Sequence, residues 1–323
     1  MDAQESVKKL TPASFAGVAL FLAASACGSD RFVVIPEEAP QSPPRTFAVC
    51  DEGSDFQVPS EVPGLDVVSS IGGSLDYWID ATLTDDERHM YFTGCSRDRR
   101  SGCVLLHATF EDSGYATDVG PARHEGNRPR HPSVSSDRST IVWAEDGSGS
   151  STRIFMASRT GLDEYESGFS GTREIMVLPR DSSQRYADPF VGRDKRLYVM
   201  LGPGSGVSTL HSAPLAGLTE DTVPTIVDAA LTGTSPVVDG ANRMFIGRYD
   251  SNTGLRTILV SERDASGKFG KAGDRYVKGL NAEGTSNYPT WVSKDGCRLY
   301  FTRGTQGSVD SYRIWMAERR AKR

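Results

Sequence analysis

The side chains best suited to chemistry stand at one recurring position, directly before the residue that opens a short strand. They are two carboxylic acids, an imidazole, a hydroxyl and a phenol, at Asp80, His131, Asp188, Ser235 and Tyr288. Trp78, Arg130 and Tyr186 stand close to them in the sequence. We expect this set to bind a cation, a sugar or a peptide terminus. The alternative is structural, because Asp or Ser before proline commonly caps a turn.

Motifs that would assign a reaction are missing from the sequence. It contains no H-E-x-x-H, G-x-S-x-G, Cys-x-x-Cys, phosphate-loop or EF-hand pattern. We therefore expect no cofactor and no metal site, and a binding platform for a protein or a cell-wall or other glycan ligand without catalysis. The alternative is a glycoside hydrolase or lyase in which Asp80 and Asp188 form the acid–base pair.

A repeat determines the expected fold. Aligning Tyr91, Val142, Tyr198, Phe245 and Tyr300 gives spacings of 51, 56, 47 and 55 residues. Each repeat contains two strands joined by an Asp- or Gly-bearing turn, then a third apolar strand. Weaker fourth strands are predicted at 115–120, 174–179, 222–227 and 274–280. About 40 to 50 residues make one four-stranded propeller blade. The pattern predicts an all-β, five-bladed β-propeller; a sixth blade and a β-sandwich are the alternatives.

The final repeat ends near residue 319 without a fourth strand of its own. A strand-like stretch at 64–70 precedes the first repeat, so we expect residues 56–70 to complete the last blade and close the ring. The segment PTWVSKDGCRLYF (289–301) resembles the TolB-like, WD-like repeat of periplasmic propellers, P-x-x-S-x-D-G-x-x-L-Y-F. The resemblance implies the fold and leaves the activity open, because that family includes scaffolds, sensors and accessory domains of enzymes.

Four cysteines follow the N-terminal region. In a blade, the turn between the first two strands and the loop between the second and third lie on opposite faces of the ring. Cys297 lies in a turn between the first two strands. Cys50 precedes the segment expected to be the fourth strand of the same blade, and the connection before a fourth strand lies on the same face as that turn. This predicts a Cys50–Cys297 disulfide. Cys95 and Cys103 flank one loop and are predicted to bridge it. Four free thiols are the alternative.

The N-terminus is typical of an export signal. Lys8 and Lys9 precede an apolar run at 15–26 that ends in Ala-Ser-Ala before Cys27. This resembles a bacterial lipoprotein signal, in which the cysteine is lipidated; an ordinary secretory signal is the alternative.

We expect a signal peptide at 1–26, a Pro-rich tether at 27–50 and the propeller at 51–320. The expected location is the periplasm or cell surface, through a lipid anchor in the outer membrane. The net charge of −6 argues against a nucleic-acid partner.

Overall fold

The structure is a computed structural model of the chain. It describes residues 47–71, 75–97, 102–122, 129–146, 152–159, 168–176, 184–203, 208–240, 243–273 and 277–322. The predicted signal peptide, Cys27 and most of the predicted tether lie outside these residues. Within the described ranges no helix has the length and apolar character needed to cross a membrane.

In these ranges, nineteen strands form five antiparallel sheets. The strands are β1 (Ser60–Glu61), β2 (Tyr77–Leu83), β3 (His89–Cys95), β4 (Cys103–Phe110), β5 (Ala116–Pro121), β6 (Pro129–Val134), β7 (Thr140–Asp146), β8 (Thr152–Arg159), β9 (Phe169–Ile175), β10 (Gln184–Val191), β11 (Arg196–Pro203), β12 (Thr209–Pro214), β13 (Thr225–Thr232), β14 (Thr234–Val238), β15 (Arg243–Tyr249), β16 (Arg256–Glu262), β17 (Thr285–Val292), β18 (Arg298–Thr305) and β19 (Arg313–Glu318). Three short 3₁₀ helices span Leu65–Ser70, Lys278–Leu280 and Val309–Ser311.

The five sheets are the blades of a propeller, and the prediction of five blades is confirmed. Their strand orders are β2–β5, β6–β9, β10–β13, β14–β16 and β17–β18–β19–β1. The fourth blade has three named strands, and isolated bridges from Val260 to Gly273 and from Arg263 to Phe269 extend its outer edge. In each blade the first strand lies innermost, so these five strands surround a central channel.

The alignment of the repeat reflects packing between blades. The aligned residues Tyr91, Val142, Tyr198, Phe245 and Tyr300 are each at most 2% exposed. They lie on the second strand of each blade, which is covered on both faces by neighbouring sheets. This explains why these strands are almost continuously apolar instead of alternating.

The aspartate in these turns stabilises the turn by accepting hydrogen bonds from neighbouring residues. Asp137 Oδ1 accepts hydrogen bonds from Ser135 Oγ at 2.6 Å and from the Ser139 N–H at 3.0 Å. The residue after each such aspartate adopts a left-handed conformation, with φ of 59° at Arg138 and 67° at Gly296. Glycine adopts this conformation at little cost, which explains the Asp-Gly pair in the last repeat.

The ring closes as predicted, but with fewer residues than expected. Ser60 and Glu61 pair with Met316 and Trp315 of β19. The stretch at 64–70 is a 3₁₀ helix, so its prediction as a strand was wrong. Its two buried side chains, Leu65 and Val68, are three residues apart and share one face of a 3₁₀ turn.

Both predicted disulfides, Cys50–Cys297 and Cys95–Cys103, are present. Cys50 also pairs through its backbone with Ala321, so the disulfide fixes the N-terminal segment to the last blade. Cys95 and Cys103 are direct partners in the β3–β4 ladder.

The outer strand predicted at 115–120 is confirmed as β5 (Ala116–Pro121), but the other outer strands depart from their predicted positions. The expected strand at 174–179 is displaced to Phe169–Ile175, and the one at 222–227 to Thr225–Thr232. Of the expected strand at 274–280, residues 278–280 form a 3₁₀ turn. Only one face of an outer strand is covered by its neighbours. Exposed and partly exposed residues fill the middle of β9, for example, so its apolar signal is weak.

Candidate ligand-binding site at the channel mouth

A bulge in the innermost strands aims the predicted residues into the channel. Asp80, His131, Asp188 and Ser235 have φ between 49° and 59°, and the ladder register shifts at each of them. In the last blade the shift follows Pro289. A bulge interrupts the alternation of side chains along a strand. As a result, the bulge residue and the one before it, such as Arg130 and His131, both line the same cavity.

The two aspartates also join neighbouring blades. The backbone N–H of His131 donates to Asp80 Oδ2 at 3.4 Å, and that of Ser235 donates to Asp188 Oδ2 at 2.9 Å. The N–H of Asp80 in turn donates to Thr302 Oγ1 of the last blade at 3.0 Å. These contacts give the aspartates the structural role considered from the sequence, whether or not the site binds a ligand.

His131 stands between the two carboxylates. Its Nδ1 lies 3.4 Å from Asp80 Oδ1 and its Nε2 lies 3.2 Å from Asp188 Oδ1. The imidazole is 29% exposed, whereas the side chains of Asp80 and Asp188 are only 6% and 8% exposed. Because a neutral imidazole carries one N–H, two ring nitrogens facing carboxylates need a second proton, on the ring or on a carboxyl group.

Burial is the main cause of a raised pKa at Asp80. The positive charge of His131 opposes the increase and the charge of Asp188 adds to it. A carboxyl group in these surroundings keeps its proton to a higher pH than an exposed aspartate, because desolvation disfavours the charged form.

Above this trio opens a cavity of about 660 Å³. Its lining includes an aromatic wall from the last and first blades, formed by Tyr288, Tyr312 and Tyr77. The ring centroids of Tyr288 and Tyr312 are 6.0 Å apart. Burial, together with the neighbouring Tyr288, raises the pKa of Tyr312 to about 12, so its hydroxyl stays neutral. Tyrosine rings with hydroxyl ends offer both apolar faces and hydrogen bonds to a ligand.

Ser235 lines this cavity, but its hydroxyl oxygen is closed to solvent. The residue is 7% exposed, and its Oγ has no hydrogen-bond partner in the part of the chain that the structure describes. A buried hydroxyl without a partner costs free energy, roughly 1 to 3 kcal/mol.

At its other end the channel is crossed by Arg193. This side chain donates from Nε to Asp85 Oδ1 at 2.8 Å, from Nη1 to the Val238 carbonyl at 3.2 Å and from Nη2 to the Val292 carbonyl at 3.0 Å. It therefore connects the first, third, fourth and fifth blades at the end away from the cavity.

Five of the seven predicted binding residues line the cavity: Asp80, Arg130, His131, Asp188 and Tyr288. The placement of Trp78 and Tyr186 at the mouth was wrong. Both are 4% exposed and pack in cores between blades. Each directly precedes a residue that lines the cavity, Ile79 or Ala187. Because side chains alternate along a strand, Trp78 and Tyr186 point away from the cavity.

The lining residues that the sequence analysis did not identify include Tyr77, Arg256 and Tyr312. Arg256 begins the third strand of its blade, and Tyr312 directly precedes a third strand. Third strands start at the same face as first strands, so the topology could have identified these two residues. The described ranges contain no group of three or more His, Cys, Asp or Glu side chains arranged to hold a metal ion.

The fold defines the class of this protein as a five-bladed β-propeller, and comparison with solved structures agrees. The catalytic domain of the Coprinopsis cinerea GH62 α-L-arabinofuranosidase is 12% identical, with a TM-score of 0.51 over 83% of this chain and 97% of that one. At this identity the likeness establishes the fold alone.

TolB proteins are also among the similar structures. TolB from Acinetobacter baumannii is 8% identical, with a TM-score of 0.38 over 76% of this chain and 55% of that one. The native Bacillus subtilis arabinanase is 12% identical, with a TM-score of 0.46 over 74% of this chain and 93% of that one. No protein-family model matches the sequence, and comparison with curated proteins gave no match.

Proposed function

We propose that this protein is an envelope lipoprotein whose propeller binds a saccharide in the channel mouth without cleaving it. The observation that carries the proposal is the cavity itself. Its volume of about 660 Å³ suits one end of a small polar ligand. Its tyrosine wall offers flat faces on which sugar rings can pack.

Binding is favoured over catalysis because the two mouth carboxylates are already engaged. Each aspartate directs one oxygen at His131 and accepts a backbone N–H from the next blade with the other. A glycosidase needs one carboxyl group that can reach the leaving oxygen and a second that can reach water or the sugar. Side chains that are 6% and 8% exposed offer little such access.

Inverting glycoside hydrolysis is the second candidate, and two observations favour it. One imidazole ring separates the carboxyl groups of Asp80 and Asp188, so their nearest oxygens lie no more than about 9 Å apart, which does not exceed the upper limit for inverting enzymes. The pKa of Asp80 is raised by burial, as a general acid requires.

One experiment separates the two candidates. Neutral and acidic oligosaccharides are titrated into the soluble domain, and the same mixtures are assayed for new reducing ends. The proposal expects binding that is weakened about tenfold by Tyr312→Ala, which removes one ring of the tyrosine wall, with no release of reducing ends. Release that disappears in Asp80→Asn and Asp188→Asn would establish the hydrolase instead. Failure of every saccharide to bind would refute the mouth as a saccharide site.

The lipid anchor is proposed from the sequence around Cys27. The expected result is that Cys27→Ser moves the protein from the membrane fraction to the soluble fraction. Retention in the membrane fraction would refute lipidation at this residue.

A further inference from the structure

Arg256 is a cationic residue in the cavity wall, and its guanidinium is held in position to bind an anion. It is partly buried at the start of β16, with its guanidinium carbon 4.7 Å from the Tyr288 ring centroid and 5.6 Å from that of Tyr249. Its Nη1 donates to the Tyr288 hydroxyl at 2.5 Å. The stacking and the hydrogen bond fix the guanidinium in place before any ligand arrives. A fixed side chain loses little entropy on binding.

Among the residues that the structure describes, Arg256 has no counter-ion. By comparison, two more deeply buried guanidinium groups are paired with acids: Arg298 with Glu87 at 2.6 Å and Arg243 with Asp239 at 2.6 Å. No Asp or Glu in the described ranges lies within 4.0 Å of the Arg256 guanidinium nitrogens. Its Nε is buried without a hydrogen-bond partner. Removing a charge from water without pairing it is unfavourable, so this site gains from an anion.

The groups that line the cavity favour a carboxylate over other anions as the ligand of Arg256. A planar guanidinium binds a carboxylate through parallel hydrogen bonds. Asp80 and Asp188 lie in the floor of the same cavity, so negative charge on this floor disfavours a doubly charged group such as phosphate more than a singly charged carboxylate. The adjacent tyrosines provide faces for the ring that carries the acid.

We propose that Arg256 binds the carboxylate of an acidic saccharide, such as a uronic acid residue, in the channel mouth. This inference rests on the proposed saccharide site and adds the charge of its ligand. Tyr249 is 55% exposed and its ring centroid lies 5.6 Å from the guanidinium carbon of Arg256, so it offers an exposed ring beside the bound acid.

The test compares trigalacturonic acid with its methyl ester, which keeps the sugar rings and removes the charge. Isothermal titration is performed on the wild type, Arg256→Gln and Arg320→Gln. Arg320 is an exposed residue near the opposite face, so its variant matches the change in net charge. Arg256→Gln should weaken binding of the acid about 10- to 100-fold, while Arg320→Gln changes it less than about twofold. Binding of the ester should be the same in all three proteins.

Each other outcome has a distinct meaning. Equal binding of acid and ester by the wild type, unaffected by Arg256→Gln, overturns the carboxylate inference and leaves the saccharide site standing. If neither compound binds but an N-acetylated dipeptide with a free carboxylate does, the saccharide class is wrong. If Arg256→Gln melts well below the wild type, Arg256→Lys replaces it; unchanged affinity for the acid in that variant overturns the requirement for a planar guanidinium.

Discussion

Removing the Cys50–Cys297 disulfide should destabilise the protein far more than removing Cys95–Cys103. The first bond joins residues 247 positions apart and the second joins residues 8 positions apart. In the loop-entropy account, cross-links over these lengths stabilise a fold by about 5.5 and about 2.5 kcal/mol. The two losses should therefore differ by about 3 kcal/mol.

The two bonds make a matched pair for this measurement. All four cysteines are at most 7% exposed, so replacement by serine buries a similar hydroxyl at each site. The double variants Cys50→Ser/Cys297→Ser and Cys95→Ser/Cys103→Ser are unfolded in urea beside the wild type. Midpoints and slopes then give the free energy of unfolding of each protein.

Equal losses in the two variants would refute the loop-length argument. In that case the Cys50–Cys297 bond would not stabilise the protein by reducing the conformational entropy of the unfolded chain. A larger loss for Cys95→Ser/Cys103→Ser would also refute it, since those cysteines are already neighbours in a hairpin ladder. Wild-type protein treated with a reductant should behave as a variant lacking both bonds.

Two further predictions concern buried charges of the first blade. Burial, together with the nearby cationic groups of His89, Arg138 and Arg159, lowers the pKa of His107 to about 3. Since the unfolded chain binds this proton near pH 6.5, stability is full above that pH and falls as the pH decreases toward 3, by up to about 2 kcal/mol between pH 7 and pH 5. His107→Gln should reduce this slope in urea unfolding measured at several pH values. Glu87→Gln should cost about 3 to 5 kcal/mol, because the guanidinium of Arg298 loses a carboxylate that binds it through both oxygens.

Each of these predictions has a clear contrary result. Parallel pH profiles for the wild type and His107→Gln would show that this imidazole does not control acid stability. For Glu87→Gln the control is Glu318→Gln, which removes an exposed carboxylate from the edge of the last blade. Similar unfolding free energies for the two glutamine variants would contradict the importance of the buried pair.

The architecture was predictable because its strongest signal comes from strands covered on both faces. Tyr91, Tyr198 and Tyr300 recur at blade spacing, and each is buried between sheets. Most outer strands gave poor predictions because only one of their faces is covered. The stretch at 64–70 looked like a strand because Leu65, Val67 and Val68 are apolar. Only contacts with the first blade, such as the Ala116 N–H bonded to the Pro63 carbonyl, show that it crosses between blades.

The candidate site was predictable only in part, for geometric reasons. Topology placed Asp80, His131 and Asp188 at one end of the innermost strands. Because of the bulge, Arg130 and His131 both line the cavity, whereas Trp78 does not. No sequence pattern marks the position of this bulge. Arg256 was not predicted because it lies on a third strand and the repeated pre-strand position occurs only on first strands, although third strands begin at the same end.

The two ends of the described chain meet beside the Cys50–Cys297 bond, remote from the mouth. The Lys322 N–H donates to the Val49 carbonyl, and the Asp51 N–H donates to the Arg320 carbonyl. A fusion partner, dye or solid support attached beyond either terminus is therefore joined to the domain on the side that carries the turns. Immobilised through either end, the protein would keep its cavity open to solution, which suits it to capture assays with unidentified glycans.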